Sequence, residues 1–402
     1  MRVKILNVIG TILLAINQWV QIILITRLLG LYEVGLFSYF LALLGPFVLF
    51  SRFMLSVLVP TQRKLAYDYA VFHQFRNMTN YAFVLCAVVL MITVDLSIYE
   101  SICLFIFVIF KFYENKEEFI YTENIAESRI SFLAYSKIYK SILTILLFAG
   151  ATITFQSLIA AIASLLISQV IIYYLYDLKF SFSEGRVKPR MTSRAFRNIF
   201  YLGIGLSIVE VLNSLVSNIP RYMIEHFHSI ETLGIFATIM YFATITNNVV
   251  VAICESVVAA LSRDAENSIR RFGRSFVRLC GIFLVLIIIG EIILLSFGTD
   301  IIVFVYGDQF IGYQYEIVLL GILLFFTVYT KLFEMALSIF NIYNLQVVLQ
   351  GVTFIATGVF SIAVIIPYGL PGAFIVAIIT QVILISGQLV VLLYHWKYKV
   401  GT

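Results

Sequence analysis

Apolar stretches of membrane-crossing length recur along the chain, and polar residues gather in the gaps between them. A transmembrane helix needs ~20 mostly apolar residues. On that measure the pattern predicts twelve helical spans: 5–26, 34–59, 78–98, 100–122, 130–152, 157–177, 198–219, 231–261, 277–297, 314–341, 345–366 and 371–394. The fourth is unusual, because Lys111, Glu114, Lys116, Glu117 and Glu118 crowd its second half. Such charges are very costly against lipid, so this helix is expected to line a watery groove or to leave the membrane early.

The gaps alternate in charge. Arg2 and Lys4 precede the first span. The 60–77 gap holds Arg63, Lys64 and Arg76, and the 178–197 gap holds Lys179, Arg186, Lys188, Arg190, Arg194 and Arg197. The 262–278 gap holds Arg263, Arg270, Arg271, Arg274 and Arg278, and Lys397 and Lys399 follow the last span. On the opposite side stand only Arg27 and Arg221, and the 298–313 gap offers Asp300 and Asp308 instead. Lys and Arg accumulate on the cytoplasmic side of a membrane. The pattern therefore predicts both termini in the cytoplasm, which agrees with an even number of spans.

Composition narrows the class. Hydrophobic residues make up 61% of the 402 and charged residues only 12%, where a soluble domain carries about 25% charged. Mean hydropathy is +1.01. No water-soluble fold hides that much apolar surface. The net charge is +5, but the cations are spread over many short gaps, which excludes a nucleic-acid footprint. Cys86, Cys103, Cys254 and Cys280 lie in or beside apolar spans without a CxxC pair and read as small core residues. No P-loop, HExxH or GxSxG string is present, so neither an enzyme nor a cofactor is expected. His226 and His228 in a short outer gap read as solvent-exposed rather than as metal ligands.

The most polar mid-chain gap, Phe180-Ser-Phe-Ser-Glu-Gly-Arg-Val-Lys-Pro-Arg190, divides the spans six and six. The expected organisation is an N-terminal six-helix lobe over 1–179, a basic cytoplasmic linker over 180–197 and a C-terminal six-helix lobe over 198–402. A short string near the second span of each half repeats: Leu31-Tyr-Glu-Val-Gly-Leu-Phe-Ser38 and Ile230-Glu-Thr-Leu-Gly-Ile-Phe-Ala237. Duplicated halves of this kind characterise transporters with a site between repeats.

Four strings carry a family resemblance. Thr26-Arg-Leu-Leu-Gly-Leu-Tyr-Glu-Val-Gly-Leu-Phe-Ser38 resembles the first-hairpin signature of polysaccharide flippases of the Wzx type, within the multidrug/oligosaccharidyl-lipid/polysaccharide exporter superfamily. Asn218-Ile-Pro-Arg-Tyr222 with Leu233-Gly-Ile-Phe236, Phe304-Val-Tyr-Gly-Asp-Gln-Phe310 and Ile366-Pro-Tyr-Gly-Leu-Pro-Gly-Ala373 are similar to later stretches of that family, in the same order. The resemblance implies an all-α integral membrane fold, two six-helix lobes around a central cavity. It also implies movement of an undecaprenyl-diphosphate-linked O-antigen, capsule or exopolysaccharide unit to the outer leaflet of the bacterial cytoplasmic membrane. A drug/cation antiporter of the same superfamily and a membrane polysaccharide polymerase are the competing readings. The first two spans contribute only Glu33 as a carboxylate, and no outer gap is long enough for a catalytic loop.

Carrying a diphosphate through ~30 Å of hydrocarbon requires cations inside the protein, and the guanidinium fork suits phosphate best. Arg52, within span two, either lines the cavity or snorkels to the inner headgroups. Lys331 and Glu334 in span ten share a face at i,i+3 spacing, either as a structural pair or as a site that exchanges partners. Arg27 and Arg221 stand at the outer ends of the first span of each half. They either draw the diphosphate outward or latch the outer gate with Glu33 or Glu231, or else anchor headgroups and cap their helices. Glu210 and Glu255 either couple transport to H+ or Na+ or pair with a cation. Expected partners are the polyprenyl-diphosphate oligosaccharide, membrane lipid, a coupling H+ or Na+ and a polysaccharide polymerase.

Overall fold

The computed structural model describes residues 2–61, 68–183, 191–340 and 342–400, and among them it is helical with no strand. Arg63, Lys64, Arg186, Lys188 and Arg190, and stretch 184–190 of the expected linker, lie outside the described residues. Among the described residues thirteen α-helices follow one another. They are α1 Arg2–Leu28, α2 Leu31–Arg52, α3 Leu55–Thr61, α4 Tyr69–Thr93, α5 Ile98–Ala126, α6 Ile130–Phe155 and α7 Leu158–Leu175. Then come α8 Ser193–Phe227, α9 Ile230–Asn267, α10 Ile269–Tyr306, α11 Gln314–Ile339, α12 Tyr343–Phe360 and α13 Ile366–Val400.

Among the described residues, ten stretches are long and apolar enough to cross a membrane. They match the twelve expected spans once two facts are noted. The charges of α5 remove it from the apolar set, and α12 and α13 read as one run, Leu345–Tyr394. The protein is therefore a multi-pass membrane protein built of helices. Its outer faces are apolar: on α10, Val285, Leu286, Ile289, Ile292 and Leu295 are all more than half exposed, as lipid requires.

Helix ends follow local chemistry. Ser97 caps α5 through a capping box with Glu100, its hydroxyl accepting from the Glu100 N–H while the Glu100 carboxylate accepts from the Ser97 N–H. Asp68 caps α4 by accepting from the Ala70 N–H. Ser229 caps α9, and Ser268, in an extended conformation, is the single residue between α9 and α10. Those two helices have 38 residues each, ~57 Å at 1.5 Å per residue. They overrun the ~30 Å hydrocarbon layer and carry the exposed Arg263, Arg270, Arg271, Arg274 and Arg278 beyond it on helical turns. The 262–278 gap was expected as a connection; it is helix on both sides of one hinge.

The chain forms two compact units, Met1–Ser214 and Leu215–Thr402, with the boundary inside α8. In unit 1, α1 packs on α6, α2 on α4 and α5, and α7 on α5 and α6. In unit 2, α11 packs on α9, α10 and α13, and α12 on α13. The repeated string holds comparable places. Val34 to Phe40 of α2 and Leu233 to Ile239 of α9 are buried without interruption, so these helix starts are enclosed on all sides by protein.

The last connection explains the Ile366–Ala373 string. α12 ends in a π turn, Ser361–Ile365, and Gly369 adopts φ 58°, a conformation that favours glycine. Pro367 and Pro371 supply no N–H to this turn. The Ile365 carbonyl instead meets His228 Nε2 at 2.8 Å. His228, exposed in the turn after α8 as expected, thus also has a hydrogen bond to this connection.

Candidate functional site

Arg52 is positioned by an abrupt end to α2. The next two residues, Phe53 and Met54, both have left-handed φ, 51° and 48°, which is uncommon outside glycine. Phe53 is 1% exposed and packs against Phe75 and Phe200, with ring centroids at 4.9 Å and 5.6 Å. A Cβ at Gly203 would stand 2.5 Å from the Phe53 ring. Glycine there admits the ring, and the ring holds the turn that presents Arg52.

From that position Arg52 Nε donates to Asn115 Oδ1 at 2.9 Å, and its guanidinium pairs with Glu114 at 3.4 Å. Lys111 Nζ reaches the same Glu114 oxygen at 2.8 Å. Arg52 remains 29% exposed. It is thus a cation held by α5 and still partly exposed.

Beneath it lies a network that sequence reasoning did not assign. Arg76 was counted among the basic connection residues; instead it sits in α4, fully buried, because α4 begins at Tyr69. It pairs with Glu118 and donates to the Ser51 carbonyl at 3.0 Å. That carbonyl also accepts from Thr79 at 2.7 Å, so α4 caps the end of α2. Asn115 donates to Ser51 Oγ at 2.8 Å and Asn80 Oδ1 at 3.1 Å.

One turn on, Glu117 is 2% exposed. It accepts from Lys140 at 2.5 Å, Gln169 at 2.8 Å and Tyr121 at 2.6 Å. Asp177, fully buried, lies 2.5 Å from Ser136 Oγ. The α5 charges are thus met largely by partners within the unit, while Glu114 and Glu118 stay about a quarter and a fifth exposed. Lys111, Glu114, Glu117 and Glu118 pair inside unit 1, and Lys116 lies over the rings of Phe112 and Tyr173 at 5.7 Å and 5.5 Å. The sequence signal was present in the run of charges; the partners that Glu114, Glu117 and Glu118 find on other helices, Arg52, Lys140 and Arg76, are distant in the chain.

Unit 2 brings Lys331 and Glu334 together on α11 at 2.7 Å. Their side chains are 33% and 47% exposed, so the pair is reachable. Glu255 is exposed on α9, and Glu210 is half-buried on α8. Arg27 is exposed in the last turn of α1. Arg221 is half-buried and donates to Asn218 Oδ1 at 2.9 Å. Glu33 accepts from Tyr99 at 3.0 Å. No group of three or more His, Cys, Asp or Glu side chains that would hold a metal occurs among the described residues.

Comparison with known proteins agrees with this architecture. Residues 120–315 match the family described as "Polysaccharide biosynthesis protein". The chain is 25% identical over 410 residues, 97% of each chain, to the capsular polysaccharide biosynthesis protein CapF of Staphylococcus aureus. Among solved structures it is similar to the lipid II flippase MurJ in an inward closed conformation. The TM-score is 0.77 at 16% identity, covering 96% of this chain and 87% of that one. It is also similar to an inward-facing multidrug resistance transporter of the MATE family, with a TM-score of 0.70 at 11% identity over 96% and 94%. The chain is a multi-pass helical membrane protein that shares its fold with the lipid II flippase MurJ and with MATE transporters, and it is similar in sequence to proteins of polysaccharide biosynthesis.

Proposed function

We propose that this protein moves undecaprenyl-diphosphate-linked oligosaccharide repeat units from the cytoplasmic to the outer leaflet of the bacterial cytoplasmic membrane, with both termini cytoplasmic. The observation that carries the reading is a coincidence in one chain. A match to polysaccharide-biosynthesis proteins accompanies the fold of a protein named as a lipid II flippase. The fold alone is equally that of multidrug transporters; the sequence relationship favours the glycan lipid.

The mechanism follows from the charges. A diphosphate leaving water needs cations to replace its hydration, and those cations must be available without staying bare when the site is empty. Arg52 with Glu114, and Lys331 with Glu334, meet both needs: each cation rests on a carboxylate at a partly exposed position. The diphosphate would displace the carboxylate, and the carboxylate would reclaim the cation on release. Arg27 and Arg221 would draw the headgroup outward, and Glu210, Glu255 and Glu334 would answer to the coupling ion. No covalent chemistry is required, and the delivered unit would be consumed by a polymerase outside.

The test is made on cells that lack this chain. Complete lipid-linked units should accumulate where a membrane-impermeant glycan-modifying reagent cannot reach them in intact cells. Units exposed outside but unpolymerised would replace this reading with a polymerase, and an unchanged lipid-linked pool would point to small-molecule export.

A further inference from the structure

Four oxygens stand in a row inside unit 1, and the hydrogens between them can be counted. Glu117 Oε1 is 2.6 Å from Tyr121 Oη. Tyr121 Oη is 2.7 Å from Ser136 Oγ. Ser136 Oγ is 2.5 Å from Asp177 Oδ1. All three are O–H···O hydrogen-bond distances, so three hydrogens are needed. The two hydroxyls bring one each. The third has to come from a carboxyl group at one end of the row.

Charge gives the same count. Glu117 and Asp177 are 2% and 0% exposed. The cation bonded to this row is Lys140, at 2.5 Å from Glu117 Oε2. Glu114 of α5 also acts on Lys140 but is itself paired with Lys111 and Arg52. One ammonium against two carboxylates leaves a buried negative charge without compensation, which a proton removes.

The two ends are not equivalent. Glu117 Oε2 has Lys140 and the Gln169 amide, at 2.5 Å and 2.8 Å. Asp177 Oδ2 is buried and has no hydrogen-bond partner among the described residues. The anion therefore belongs on Glu117 and the proton on Asp177.

We propose that Glu117, Tyr121, Ser136 and Asp177 form a binding site for one exchangeable proton. With the proton on Asp177, its O–H donates to Ser136, Ser136 to Tyr121 and Tyr121 to Glu117, and every hydrogen is used. Passing each hydrogen one place along moves the proton to Glu117 and leaves the anion on Asp177. Only O–H bonds break and form, and no other reactant is involved. The row joins α5, α6 and the 3-10 turn after α7, so loss of the proton puts an unpaired anion where three elements meet. Use of this site to drive transport rests on the flippase reading; its existence does not.

Infrared difference spectroscopy of the purified full-length protein at neutral pH, without substrate, tests it. Wild type minus Asp177→Asn should show one protonated-carboxyl C=O band that shifts in heavy water. Asparagine supplies its own hydrogens to Ser136, so no acid is then needed. Asp95→Asn, at an exposed position, should leave that region unchanged. If Asp177→Asn does not yield folded protein, Glu117→Gln carries the same expectation, since Lys140 then neutralises an ionised Asp177. Spectra that superpose in the carboxyl region would overturn the proposal. The spectrum reads the protein alone, so failure of the flippase reading would leave this result standing.

Discussion

The two units handle charge in opposite ways. Unit 1 buries it: Arg76, Glu117, Glu123 and Asp177 are all at most 2% exposed, set among the buried amides Asn80, Asn115 and Gln169 and tied across α2, α4, α5, α6 and α7. Unit 2 keeps its α9–α10–α11 interior apolar, with Val250, Phe272, Phe276, Phe283, Leu332 and Ala336 in one cluster, and leaves Lys331 and Glu334 at its surface. A charge pair can thus be part of a scaffold or part of a working surface, and burial separates the cases. A buried ion that loses its partner leaves its mate uncompensated. An exposed pair contributes little to stability and is free to exchange partners.

The largest expected effect tests that distinction. Arg76→Met and Lys140→Met should each destabilise by ~3–5 kcal/mol, the usual result of stranding a buried charge. Lys331→Met should change stability by ~0–1 kcal/mol yet reduce polymer export. Chemical unfolding of the detergent-solubilised proteins gives the comparison, and equal losses in both units would break it. Next in size is Gly203→Ala, whose methyl has no room beside the buried Phe53 ring; overpacking of this kind costs ~1–3 kcal/mol. Because that ring holds the turn after Arg52, export should fall along with the melting temperature. His228→Ala removes the hydrogen bond to the Ile365 carbonyl and should lower stability by ~1 kcal/mol. Smallest is Arg271→Ala. Its pair with Asp264 is two-thirds exposed on the arginine side, so a change of less than ~0.5 kcal/mol is expected.

These contrasts also mark what a sequence discloses. The helices were legible, because lipid demands continuous apolar runs. Lys331 with Glu334 was legible because partners three apart on one helix are neighbours by geometry. Arg52 could be singled out as a cation within a span, but not its partner Asn115, 63 residues away. Arg76 was misplaced because a cation near an apolar boundary looks like a loop residue until the helix start at Tyr69 is known. Asp177 looked like a span end, and only the folded chain sets it against Ser136 and Glu117. Local periodicity reports which face a residue occupies; it carries no information on what comes to meet that face from a distant helix.

The central claim is that Arg52 exchanges its carboxylate for the diphosphate of a glycan lipid during translocation. The most direct measurement uses purified protein in proteoliposomes loaded with a labelled polyprenyl-diphosphate oligosaccharide. A membrane-impermeant glycan-modifying reagent reports how much of the inner-leaflet pool becomes accessible with time. Wild-type protein should expose that pool, and Arg52→Ala, inserted to the same level, should leave it protected. Equal exposure by both proteins would remove Arg52 from the site, and no exposure by wild type under an imposed ion gradient would contradict the account itself.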